Sequence, residues 1–219
     1  MKRNEFYEKY KHGIPLLVYA IVYLTWFYLI ENHLEGPFTI IHTPVDDLIP
    51  FCELFIIPYL LWFGYMAVVV GYLFLKDKEE YLKCCSFLFI GMTVFLVIST
   101  ISPNGQVLRP VIMERDNVFI DLVRSLYRTD TPTNLWPSIH VFNSIGCHIA
   151  VCKSEKLKNN GFIRNGSFVL CVLIVLSTMF VKQHSVFDVV TAFLMAGILY
   201  HVVYLQERVI VKAVLRPKF

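Results

Sequence analysis

Two histidines, His140 and His184, stand 44 positions apart, each at the start of an apolar run. The first closes the segment Pro137-Ser138-Ile139-His140, and the second opens His184-Ser185-Val186-Phe187-Asp188. Hydrocarbon penalises ionisable groups, so such residues at the edge of a membrane-spanning stretch point first to function. His184 and Asp188 are four apart and share one face of a helix. A carboxylate that accepts one imidazole N–H fixes the tautomer and leaves the other nitrogen free as a nucleophile toward phosphorus. His140 has the chemistry of a general acid that protonates a leaving alkoxide and then acts as base for the acceptor. Arg109, followed by Pro110, can clamp two phosphate oxygens. Ser138 and the amides after Pro137 open a helix, and a helix N-terminus attracts anions. Lys182, two residues before His184, can add a second positive charge. The set suits phosphoryl transfer through a histidine-linked intermediate, with no metal ion or other cofactor required. A metal held by His140, His184 and Asp188 fits the ligand types but leaves Arg109 and Lys182 as repelling cations.

These residues need elements that bring them to one place. The chain of 219 residues is 56% hydrophobic and 17% charged, which excludes an ordinary soluble domain. Apolar runs recur at 14–30, 54–75, 84–101, 139–152, 168–181 and 186–205. A helix crosses the hydrocarbon core with about 20 residues, so the expectation is an all-α, six-span membrane protein forming one domain over 1–219. The fourth and fifth runs are short and are expected to borrow flanking residues such as Leu135, Trp136 and Phe162. The first run follows Lys2, Arg3, Lys9 and Lys11 and resembles a signal sequence. Glu31-Asn32-His33 replaces a cleavage site, so an uncleaved anchor is expected.

With six spans, 15 of the 20 Lys and Arg residues fall on one side. Arg109, Arg115, Arg124, Arg128 and Lys182 fall on the other. The positive-inside rule then puts both ends of the chain in the cytoplasm. The net charge of +3 is a topology signal and gives no support to nucleic-acid binding. The same topology brings Arg109, the start of the fourth span and the start of the sixth to the outer face. Six scattered cysteines read as apolar packing residues, since only Cys52 falls near that face. The segment 117–128 sets Phe119, Leu122, Val123 and Leu126 on one face, as an amphipathic helix at the outer interface would. His148, two turns beyond His140, reads as an internal hydrogen-bonding residue. In the first outer loop, His42, Asp46 and Asp47 read as ordinary exposed polar residues.

Three pieces, in order, resemble the type 2 phosphatidic acid phosphatase superfamily. Its pattern runs Lys, six residues, Arg-Pro; then Pro-Ser-x-His; then Ser-Arg, five residues, His, three residues, Asp. Arg109-Pro110, Pro137-Ser138-x-His140, and Ser177, His184 and Asp188 match it here, over the chain from the third span onward. The pattern's lysine position holds Ser102 and its second arginine position holds Thr178. The Ser-Thr pair resembles the inositol phosphorylceramide and sphingomyelin synthase branch. The resemblance implies a lipid phosphate substrate drawn from membrane lipids and a site facing outward, with the plasma membrane as the expected location. His184, His140 and Asp188 would be catalytic, and Arg109, Ser138 and Lys182 would bind phosphate. Water as acceptor makes a phosphatase; a lipid or polyol hydroxyl makes a phosphotransferase. A transporter is disfavoured because the polar groups gather at one face. An inactive lipid-phosphate binder stays open because of the two missing cations.

Overall fold

Prolines at the sequence ends of the apolar runs seed helices and do not break them. Pro15, Pro44 and Pro58 all lie in first turns, where the missing N–H has no helical partner to lose. In a computed structural model, which describes residues 3–33 and 38–206, the chain is mostly helical. The helices are α1 (Arg3–Tyr10), α2 (Ile14–His33), α3 (Pro44–Leu48), α4 (Ile56–Lys76), α5 (Lys78–Ile101), α6 (Val118–Thr129), α7 (Ile139–Lys153), α8 (Gly161–Phe180) and α9 (Val186–Tyr200). Of the residues used above to orient the chain, Lys2, Arg208, Lys212, Arg216 and Lys218 lie outside the described residues. So does part of the first outer loop, 34–37.

Among the described residues, five helical stretches are long and apolar enough to cross a membrane: Tyr7–Asn32, Glu53–Lys76, Lys78–Ile101, Gly161–Phe180 and Val186–Leu205. The fourth apolar run differs. Its helix α7 has 15 residues, about 22 Å at the usual rise, short of a ~30 Å hydrocarbon core. It does not borrow Leu135 or Trp136, whose backbone N–H groups instead donate to Asn104 Oδ1 at 2.8 and 3.0 Å. The fifth run does extend, and Phe162 falls inside α8. The shortness of α7 follows from its place, since α4, α5, α8 and α9 pack around it. Packed among these neighbours, it buries Asn143 and Ser144, while His148 is partly exposed.

Close approach fixes the register of α7. A Cβ at Gly91 of α5 would lie 2.1 Å from the Phe142 ring, and one at Gly146 would lie 2.8 Å from Phe87. Those two rings stack with centroids 4.7 Å apart and planes 3° apart. Each glycine is thus a notch for the phenyl ring of the facing helix. By contrast, α2 rests on α5 through Tyr23, Ile30, Phe95 and Leu96 and leaves Leu17, Ile21 and Leu24 exposed. All six cysteines are free, and Cys84 and Cys147 sit fully inside the core.

One end of the bundle is closed by loops that knit together. The strands β1 (Thr39–Ile40) and β2 (Asn104–Gly105) pair in parallel, and Gly105 bridges to Thr133. Glu31, at the end of α2, accepts from Asn134 Nδ2 at 2.7 Å and from the Thr131 hydroxyl. The helix α6 buries Ile120 and packs Val123 against Ile56, Tyr59 and Val181, with Phe119 and Leu126 partly buried beside them. Leu122, expected on that face, stays exposed.

Candidate functional site

The loop layer sits over two helix N-termini, and each starts with a serine cap. Ser138 Oγ accepts from Val141 N at 3.4 Å to begin α7, and Ser185 Oγ accepts from Phe187 N at 3.2 Å to begin α9. The two starts are tied directly, because Ser138 N donates to the Asp188 carbonyl at 3.3 Å. This joins the two halves of the sequence pattern. It also corrects one expectation: the Ser138 N–H is engaged by Asp188 and is not a free anion donor.

His184 lies in the turn between α8 and α9. Its Nδ1–H donates to Asp188 Oδ2 at 3.3 Å, and Ser185 N donates to the same oxygen at 3.0 Å. Asp188 is 0% exposed, and its Oδ1 has no partner among the described residues. The expected partners meet, but not on one helix face: His184 precedes the Ser185 cap of α9, and its Nδ1 faces the carboxylate while Nε2 points away from it. The His140 ring lies 5.7 Å from that of His184, centroid to centroid. It packs against Trp62 at 4.5 Å and Tyr59 at 4.8 Å, and its Nδ1 has no hydrogen-bond partner among the described residues.

Arg109 reaches this cluster from the loop after α5. Its Nη2 donates to the Asp130 carbonyl at 2.8 Å and to Gln183 Oε1 at 2.5 Å, while Nη1 donates to the Tyr127 carbonyl at 3.3 Å. The guanidinium also lies over the Tyr127 ring, 4.5 Å from its centroid. Burial lowers the Arg109 pKa, and Asp130 opposes that shift, though an arginine remains charged. Asp130 is a further member of the cluster, with Tyr59 donating its hydroxyl to Oδ2 at 3.1 Å. Burial raises the Asp130 carboxyl above its ordinary value, against the opposing pull of His184, the Tyr59 hydroxyl and Arg109.

Lys182 is placed differently from the expectation. The turn puts it in the left-handed region, φ 53°, and its ammonium donates to the carbonyls of Asp46 at 2.8 Å and Ile49 at 2.5 Å. Burial lowers its pKa, with Asp46 and Asp47 opposing the shift. Its own carbonyl accepts from Gln106 Nε2 at 2.9 Å. Lys182 therefore anchors the first outer loop. The neighbouring cation position, Thr178, is fully buried, and its carbonyl takes both Gln183 N at 2.9 Å and His184 N at 3.0 Å.

Asp46 overturns the reading of the first-loop acids. It is 2% exposed and accepts from Ser185 Oγ at 2.6 Å, Val186 N at 2.7 Å, Thr43 N at 2.7 Å and Thr43 Oγ1 at 2.9 Å. Burial alone would raise its pKa, but those four donors outweigh burial and hold the carboxyl below the usual range. The carboxylate fixes the N-terminus of α9 and with it His184 and Asp188. Asp47 keeps the ordinary role, pairing at 2.9 Å with His42 on the exposed surface. Sequence reasoning also missed Gln183, Tyr59, Trp62 and Asp130. Only Gln183, next to His184, lay near a motif, and glutamine carries no charge to draw notice.

The arrangement brings together two imidazoles, one oriented by a carboxylate and the other with a ring nitrogen that has no partner among the described residues. Comparison with protein-family models, with curated proteins and with solved structures returns no match.

Proposed function

We propose that this chain is an integral membrane enzyme that moves a phosphoryl-containing group from a lipid phosphate onto His184 and then to an acceptor. With water as acceptor it is a lipid phosphate phosphatase. The observation that carries the reading is the 5.7 Å spacing of the His140 and His184 rings, with Arg109 reaching the adjoining Gln183. Imidazoles this close can both serve a phosphorus lying at their edges, one on the attacking side and one on the leaving side. In the first step His184 Nε2 bonds to phosphorus, the bond from phosphorus to the lipid oxygen breaks, and protonated His140 gives that oxygen its proton. In the second, His140 takes a proton from water as its oxygen displaces His184. Asp188 stabilises the charged imidazole in between, and Arg109 offsets charge on the phosphoryl oxygens.

In this proposal α7 is the fourth of six spans, sheltered by its neighbours, and the knitted loop layer faces outward from the plasma membrane. The ends of the chain then lie on the cytoplasmic side, in keeping with the distribution of Lys and Arg. Engagement of Lys182 by loop carbonyls leaves Arg109 as the cation of the cluster, which favours a second reading, a phosphotransferase with a hydroxyl acceptor. The test is turnover by the purified full chain on phosphatidic acid, with and without added glycerol or inositol. Phosphate release or transfer is expected, falling by at least ~10³-fold in His184→Gln. Near wild-type turnover in that variant contradicts the reading.

A further inference from the structure

The end of the bundle remote from His184 holds two cavities of about 390 Å³ each, which adjoin at Lys153. The first is an apolar groove between α7 and α9, walled by Ile145, Ile149, Phe193 and Tyr200. Gly197 faces open space in it: a Cβ there would meet nothing within 4 Å. Lys153 stands where the groove ends, its ammonium 5.2 Å from the centre of the Tyr200 ring. Two lysines just beyond it are engaged elsewhere. Lys156 donates to the Lys76 carbonyl at 2.6 Å, and Lys158 pairs with Glu155 at 2.6 Å.

The second cavity is polar. Asp77, Glu79, Glu80 and Glu155 border it, against Lys83 and Lys153, so its wall carries more negative charge than positive. Two of its polar atoms are buried without a partner among the described residues: Glu80 Oε2, and the hydroxyl of Ser154, a residue 1% exposed. Glu80 Oε1, by contrast, accepts from Glu155 N at 2.8 Å. A carboxylate oxygen only accepts, so what completes it is a donor, and beside an acidic wall a positive one. Among the described residues no three His, Cys, Asp or Glu side chains converge closely enough to hold a metal ion, which favours an organic ammonium.

We infer that the C-terminal ends of α7 and α9 hold a resident zwitterionic phospholipid with a primary-ammonium headgroup, at a site separate from the one at their N-termini. Its hydrocarbon lies in the groove, its phosphate beside Lys153, and its ammonium in the acidic cavity, donating to Glu80 Oε2 and the Ser154 hydroxyl. The order of apolar, cationic and acidic surface along the two cavities is the order of groups in an ethanolamine phospholipid. A choline headgroup has no N–H to donate. A serine headgroup carries a carboxylate into a wall that is already acidic. On the topology proposed above, this end faces the cytoplasm and the lipid belongs to that leaflet.

The test is native mass spectrometry of the full chain from detergent micelles, titrated with phosphatidylethanolamine, phosphatidylcholine or phosphatidylserine of the same acyl chains. The ethanolamine lipid should bind about tenfold or more tightly than either, the worth of one hydrogen bond to a charged group. Glu80→Gln keeps the acceptor for Glu155 N but loses the charge, and should erase that preference. Gly197→Leu fills the groove with a better helix former and should weaken all three lipids by about tenfold or more, with its melt in detergent alone unchanged. His184→Gln should bind as the wild type does; loss of binding there moves the lipid to the opposite end and overturns the inference. Equal affinity for the ethanolamine and choline lipids marks ordinary boundary lipid and also overturns it. So does displacement by glycerophosphoethanolamine, which lacks acyl chains and would make the cavity a site for a soluble amine. Should Glu80→Gln or Gly197→Leu fail to fold, the wild-type ranking of headgroups decides.

Discussion

The helix α7 carries two histidines in two kinds of surroundings. His148 is satisfied on both ring nitrogens: Nδ1 lies 3.0 Å from Ser167 Oγ, which is 2.7 Å from the Tyr65 hydroxyl, and Nε2 lies 3.5 Å from Cys152 Sγ. Those partners come from α4, α7 and α8, so the cluster ties helices together. His140, about two turns nearer the N-terminus, packs at a tilt against Tyr59 and Trp62 and leaves Nδ1 without a partner among the described residues. Residue type and helix are the same; satisfaction differs. A buried polar group left bare costs stability, so it persists where a ligand or a reaction completes it. The same contrast separates Lys182, held by two carbonyls, from Arg109 and Gln183, each with a buried donor that has no partner among the described residues.

The comparison breaks most visibly at His140. His140→Ala should lower turnover on a lipid phosphate by about 10²–10⁴-fold, but far less on nitrophenyl phosphate, whose leaving group needs no proton. Steady-state rates on the two substrates check this, and equal losses on both would remove the general-acid role. His148→Phe should leave kcat unchanged and lower stability by about 0.5–1.5 kcal/mol, because it removes one of the two partners of Ser167 Oγ and leaves the Tyr65 hydroxyl as the other. Loss of activity with intact stability in that variant would collapse the distinction between the two histidines.

A smaller effect sharpens the account at Asp46. Asp46→Ala frees the start of α9, and a misplacement of His184 by about 1 Å is worth about 10²-fold in kcat. KM should move little, since Asp46 acts through Ser185 and Val186, and Asp46→Asn should recover part of the rate. The pH dependence has a definite sign. Because the folded pKa of Asp46 is depressed, its stabilisation is present above the unfolded value of about 3.9 and is lost as pH falls through the lower folded value. Thermal melts of the wild type and Asp46→Asn should therefore differ at neutral pH and converge in acid. A difference that grows in acid would contradict the clamp. Lys182→Met should loosen the same loop, with a smaller loss of rate than Asp46→Ala.

Much of the helical framework was legible because apolar runs and their polar breaks are local. The break at 76–78, for example, is Asp77 capping α5 through Glu79 N and Glu80 N at 3.0 Å. The His184–Asp188 contact was legible as a pairing four residues apart, although His184 reaches Asp188 from the turn before α9 and not from the helix itself. Contacts between distant loops were not. Nothing near Asp46 announces that its carboxylate meets Ser185, 139 positions away. Lys182 misled because proximity in sequence does not give direction: a left-handed residue in the turn sends its side chain toward the first loop. The shortness of α7 was visible, but its remedy was not, since shielding by four helices is a property of packing and not of the run itself.

The central claim is a covalent phosphohistidine on His184, and rapid quench with ³²P-labelled lipid phosphate tests it most directly. The account predicts label on the protein that survives alkali, is released by acid, and maps to the peptide carrying His184. It should be absent from His184→Gln and should accumulate in His140→Ala with an activated substrate, where the second step lacks its base. Turnover without any labelled protein, or label that persists in His184→Gln, would contradict the account.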